Sequence, residues 1–123
     1  MKSRLTYIEL KTGFAHNGPA WIGKAFFSKS GRTTYFDGKV LSSGSRGAFD
    51  IETGQFYWIS GVKKDGTDRH IYGNGKIMID KSVIAEYLQH TGLTELPSNK
   101  FEIVELNNVP AKQKSLILFN EKL

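Results

Sequence analysis

Phe56-Tyr57-Trp58-Ile59-Ser60-Gly61-Val62-Lys63-Lys64-Asp65-Gly66-Thr67-Asp68-Arg69-His70 is the stretch that sets the fold class. Three consecutive aromatics enter a β-branched and apolar run, Lys64-Asp65-Gly66 makes a turn, and a charged return ends at Arg69-His70. Neighbours in an extended chain point to opposite faces, so each side of such a strand carries a large ring. The same doubling recurs at Phe26-Phe27 and Tyr35-Phe36. One set of rings fills the space inside a curved sheet; the other is either covered by a second layer or left outside.

Working back towards the amino terminus, Leu5 to Thr12 alternates as a half-buried strand, with Thr6, Ile8 and Leu10 on one face. Gly13 to Pro19 reads as a loop and Trp21 to Ser28 as a second strand. Lys29-Ser30-Gly31 turns into Arg32–Phe36. Asp37-Gly38 is a bulge or a turn before Lys39-Val40-Leu41, and Ser42 to Gly47 reads as a flexible loop. Phe49–Ile51 and Phe56–Val62 are two arms joined by Glu52–Gln55, followed by Arg69–Tyr72 and Lys76–Ile79. Turn signals about every ten residues predict an antiparallel meander over residues 4–79.

Beyond residue 79 the period changes. Asp80 suits an N-cap, Val83, Ile84, Tyr87 and Leu88 form a stripe at helical spacing, and Gly92 suits the C′ position. The spacing predicts a helix over 81–90, then strands at 101–106 and 115–119. The expected fold is a single α+β domain of 123 residues: a small antiparallel β-barrel or strongly curved meander sheet, SH3-like or similar, with one helix in the carboxy-terminal half. The apolar run Leu116–Phe119 is a last strand or a docked segment, and is the expected seat of a homodimer contact.

Composition excludes several chemistries. The absence of cysteine removes disulfides, thiolate zinc sites and cysteine nucleophiles. His16, His70 and His90 stand at no metal-like spacing. Gly18-Pro19-Ala20-Trp21-Ile22-Gly23-Lys24-Ala25 misses a P-loop, because Ala25 has no hydroxyl and the following residues are strand-like rather than helical. Asp65-Gly66-Thr67-Asp68 lacks the alternating acids and terminal glutamate of a calcium loop. No cofactor or metal is expected. With no signal-peptide core and no run of about 20 apolar residues, the expectation is a cytoplasmic protein without a membrane partner.

The net charge is +5, carried mostly by residues 1–62, where eight Lys/Arg face four Asp/Glu. Exposed rings beside these cations would suit nucleic acid or another anionic partner. Trp58, Lys63, Lys64, Arg69 and His70 are the expected contact surface of a non-catalytic binding module, with Trp21 and Tyr35 as stacking neighbours. One competing reading is a small enzyme for an anionic substrate, with His70 as acid–base and Arg69 as anchor. Another is a subunit of a larger complex.

Through Thr6–Lys11, Asn17–Gly23, Tyr57–Lys64 and Asp68-Arg69-His70, the chain resembles a family of small uncharacterised bacterial proteins. The resemblance extends over about the first 90 residues and includes Gly75-Lys76-Ile77. Some members carry the name 1-deoxy-D-xylulose-5-phosphate synthase. The enzyme of that name is several times longer, with thiamine-diphosphate and substrate domains that this chain does not hold. The resemblance thus implies a bacterial source and carries over no function.

Overall fold

The computed structural model of the chain describes residues 1–11, 18–44, 47–66 and 75–112. Six strands come first: β1 (Lys2–Leu10), β2 (Ala20–Phe27), β3 (Thr33–Phe36), β4 (Lys39–Gly44), β5 (Gly47–Asp50) and β6 (Phe56–Gly61). Each pairs antiparallel with the next, and β6 returns to pair with β1, so the expected barrel is closed. Its longest seam joins β1 to β2, from Lys2↔Phe27 to Glu9↔Ala20.

Local chemistry explains the corners. Asp37 (φ 48°) and Gly38 (φ 74°) are both left-handed, the geometry of a two-residue hairpin whose twist matches its strands. The Asp37-Gly38 pair is therefore a turn and not a bulge. Strand β4 continues through Ser42, Ser43 and Gly44, which pair with Phe49, Ala48 and Gly47. The expected flexible loop at Ser42–Gly47 is thus largely strand. Small polar residues have weak strand preference, but a neighbouring strand supplies the backbone partners that hold them extended.

The expected arm Arg69–Tyr72 after β6 lies outside the described residues. Strand β7 (Ile77–Asp80) runs parallel to β2, and β8 (Phe101–Val104) runs parallel to β7. The outer edge of β2 is thereby shared: Phe26 and Phe27 pair with β3, while Trp21 and Ile22 pair with β7. Between β7 and β8 lies helix α1 (Ile84–Thr91), entered through a 3₁₀ turn at Lys81–Val83. Asp80 accepts from the Ser82 amide at the entry, and Gly92 (φ 78°) closes the exit by donating to the Leu88 carbonyl. The expected caps are both in place. The predicted helix start at Lys81 is instead the 3₁₀ turn.

Two cores result. Inside the barrel, Ile8, Ala25, Phe36, Leu41 and Tyr57 are buried together. Outside it, Tyr7, Ile22, Ile79, Val83, Tyr87 and Phe101 fill the layer beneath α1 and β7–β8. β1 and β2 lie between the two, so Thr6 through Glu9 are all buried.

One end of the barrel is stoppered. The chain after β8 brings Leu106 against the inner core. Its amide donates to Asp80 at 3.4 Å, and the Asn107 amide donates to Asp37 at 2.9 Å. A Cβ on Gly23 would stand 2.8 Å from Leu106 Cδ1 and 3.1 Å from Phe36 Cε1. Only glycine lets Leu106 sit this deep. Among the described residues no helix is long and apolar enough to cross a membrane. The predicted strand at 115–119, with its dimer contact, lies outside the described residues.

Candidate anion-binding mouth of the barrel

Among the described residues the opposite end of the barrel is open, and the alternation of β1 decides what lines it. Ile8 points into the barrel, so Thr6, Arg4 and Lys2 share its face. Strand β6 pairs with β1 only from Thr6 to Leu10, which leaves Lys2–Leu5 extending past that partner towards the rim. The register on the other side places Arg4 beside Ala25 and Lys2 beside Phe27. The Arg4 guanidinium lies over the Phe27 ring, 4.4 Å from its centroid, a cation–π contact that holds an otherwise exposed side chain in place.

These residues border a cleft of about 980 Å³. Its cationic residues are Lys2, Arg4 and Lys29, and its hydroxyl-bearing residues are Ser28, Ser30, Thr34, Ser43 and Tyr57. Phe27, Ala48 and Ile59 add apolar wall. Among the described residues, no aspartate or glutamate lines it. In the turn between β2 and β3, Ser28 Oγ accepts from the Thr33 amide at 3.1 Å, and Ser30 Oγ accepts from the Arg32 amide at 3.3 Å. The two hydroxyls stand 3.4 Å apart.

Tyr57 forms the inner wall and is only 3% exposed. Burial, and then the carboxylates of Asp50 and Asp37, push its phenol above the ordinary value of 10.0. Its hydroxyl therefore remains a protonated donor through the neutral and mildly alkaline range. A raised phenol contributes stability that is present below the unfolded pKa of about 10 and lost as pH rises through the folded value. In an ultraviolet titration, the absorbance step missing from Tyr57→Phe should lie above pH 10. A missing step at or below pH 10 would contradict this burial.

Of the seven residues expected to form a contact surface, only part comes together. Trp58 is 52% exposed on the outer face of β6, with Lys11 Nζ 5.3 Å from its ring centroid. Lys63 and Lys64 follow β6 and are exposed. Trp21 is not beside them: it points into the barrel, against Phe36 and Tyr57, with centroids 6.5 and 6.4 Å away. Tyr35 is buried on β3 and offers no free ring face. Closure is the cause, because it sends the two tryptophans to opposite sides of the wall. Arg69 and His70, and with them the acid–base reading, lie outside the described residues. His90 is structural, its Nε2 donating to the Val62 carbonyl at 2.8 Å.

Sequence reasoning missed Lys2, Arg4, Lys29 and the two serines. The alternation of β1 carried a signal for two of them, since Lys2 and Arg4 continue the Ile8 face by steps of two. The strand had been started at Leu5, where the apolar pattern begins. Among the described residues, no group of three or more His, Asp or Glu side chains could hold a metal ion. Comparison with known proteins finds no matching family model, no similar curated protein and no similar solved structure.

Proposed function

We propose that the chain is a non-catalytic binding module that takes a small anionic ligand into the open mouth of its barrel. The observation that carries this reading is the convergence of Lys2, Arg4 and Lys29 on one cleft free of described carboxylates. A concave site walled by low-dielectric groups of one sign concentrates ions of the opposite sign. The cleft volume suits a small molecule, since ligand pockets run from about 300 to 1,000 Å³. The apolar wall from Phe27, Ala48 and Ile59 would cover the ligand's carbon skeleton.

The stopper argues for a small ligand over a threaded polymer. With Leu106 filling the far end, a ligand enters and leaves through the same opening. A single strand of nucleic acid would instead have to cross the outer face at Trp58, Lys63 and Lys64. The two modes separate in one titration. Phenyl phosphate added at low salt should shift amide signals of residues 27–31, 43–44, 57 and 59. Arg4→Ala combined with Lys29→Ala should weaken binding about tenfold or more, and added salt should weaken it further as the charges are screened. Lys63→Ala with Lys64→Ala should leave it unchanged. Shifts confined to Trp58, Lys63 and Lys64 would overturn the mouth as the binding site.

A further inference from the structure

We infer that the Ser28-Lys29-Ser30-Gly31 turn is a phosphoryl subsite, so that the ligand of the barrel mouth is a phosphate monoester of a small organic group. The inference rests on the mouth reading above and specifies which anion it takes.

The hydroxyl geometry is the first support. A serine hydroxyl has one O–H to donate and lone pairs to accept with. In this turn, backbone amides already donate to both Oγ atoms, from Thr33 to Ser28 and from Arg32 to Ser30. Each keeps its O–H for donation and one further lone pair. The 3.4 Å between the two oxygens exceeds the usual O–H···O range of about 2.5–3.0 Å, so neither hydroxyl satisfies the other well. Two adjacent O–H donors suit two oxygens of one tetrahedral anion.

Charge is the second support. Lys29 sits between the two serines, and Lys2 and Arg4 border the same cleft from β1. A carboxylate brings one negative charge and two oxygens. A phosphate monoester brings about −1.5 to −2 at neutral pH and three acceptor oxygens, which matches several cations and two hydroxyls better. Access is the third support. Gly31 has φ 76°, and among the described residues nothing lies within 4 Å of where its Cβ would stand. The organic part then falls against the wall of Phe27 and Ile59.

The test compares phenyl phosphate, benzoate and phenol by calorimetric titration of the whole chain at low salt. Phenyl phosphate should bind at least tenfold more tightly than benzoate, and phenol should not bind measurably. Ser28→Ala combined with Ser30→Ala should cost phenyl phosphate about tenfold while leaving benzoate unchanged; retained benzoate binding also shows that the variant is folded. As an independent readout on the unaltered chain, the phosphorus signal of bound phenyl phosphate should titrate at lower pH than that of the free compound, because surrounding cations favour the dianion. Equal affinity for the two anions, or an equal loss of both in the serine variant, would overturn the phosphoryl subsite and leave the anionic mouth standing; an unshifted phosphorus titration would overturn both. Failure of both anions to bind would overturn the mouth itself.

Discussion

Replacing Tyr87 with alanine should lower the free energy of unfolding by about 3–5 kcal/mol, the usual cost of deleting a buried aromatic ring. Tyr87 is fully buried. It meets Phe101 edge-on, with ring centroids 5.4 Å apart, and shares the outer core with Ile22, Ile79 and Val83. The ring is the largest group that α1 contributes to this layer, and no small movement of an eight-residue helix refills the space it leaves. Domains of this kind have only about 5–15 kcal/mol in total, so the variant should be close to its unfolding midpoint under mild denaturant. Glu86→Ala, one position away on the exposed side, should change stability by no more than about 0.5 kcal/mol. Urea unfolding of both variants checks the pair. A loss below about 1 kcal/mol for Tyr87→Ala would mean that α1 does not cover β7 and β8 as described.

Asp80→Ala should cost about 3 kcal/mol, because one buried carboxylate accepts from several donors that would be left without it. Asn108 Nδ2 and Ser82 Oγ each donate to it at 2.8 Å, and the amides of Ser82 and Leu106 do so at 3.4 Å. The same side chain thus caps the 3₁₀ turn and anchors the segment that stoppers the barrel. Its pH behaviour follows. Burial pulls the Asp80 carboxyl upward, but the hydrogen bonds from Asn108, Ser82 and Leu106 outweigh burial and hold it below its ordinary value. A lowered carboxyl contributes stability that is present above the unfolded value of about 3.9 and is lost as pH falls through the lower folded value. Asp80→Asn keeps the shape and cannot titrate, so its stability should fall less steeply than that of the unaltered chain as pH drops below about 4. Parallel acid limbs for the two proteins would show that Asp80 is not held in the network described.

The reading of individual elements succeeded where the cause lies within a few residues. Asp80 and Gly92 marked the helix ends because a cap acts on the adjacent turn. Asp37-Gly38 read as a bulge or a turn, and two left-handed conformations in a row make it a turn. It failed at Lys2–Arg4, where β1 runs past its core partners and the apolar pattern falls silent. It failed again at Ser42–Gly44, whose extended form depends on β5 opposite. Strand β7 was legible as a strand, but not as a parallel one. Nothing near Ile77–Asp80 in the sequence says that its partner is Trp21-Ile22, more than fifty positions earlier.

The candidate site divides the same way. Trp58, Lys63 and Lys64 looked like a docking face because they are close in sequence, and they are indeed on the surface. The mouth draws on Lys2, Arg4, Lys29, Ser43 and Tyr57, which no local window contains.

By itself the sequence determined that alternating apolar strands, left-handed turns and one capped helix would build a small barrel with surplus positive charge, since periodicity and turn chemistry act between near neighbours. Only the tertiary structure decided which ring of each aromatic pair went inward and which cations met. That choice is made when β6 closes on β1, because one registration of distant strands assigns every side chain on both to the interior or to the outside.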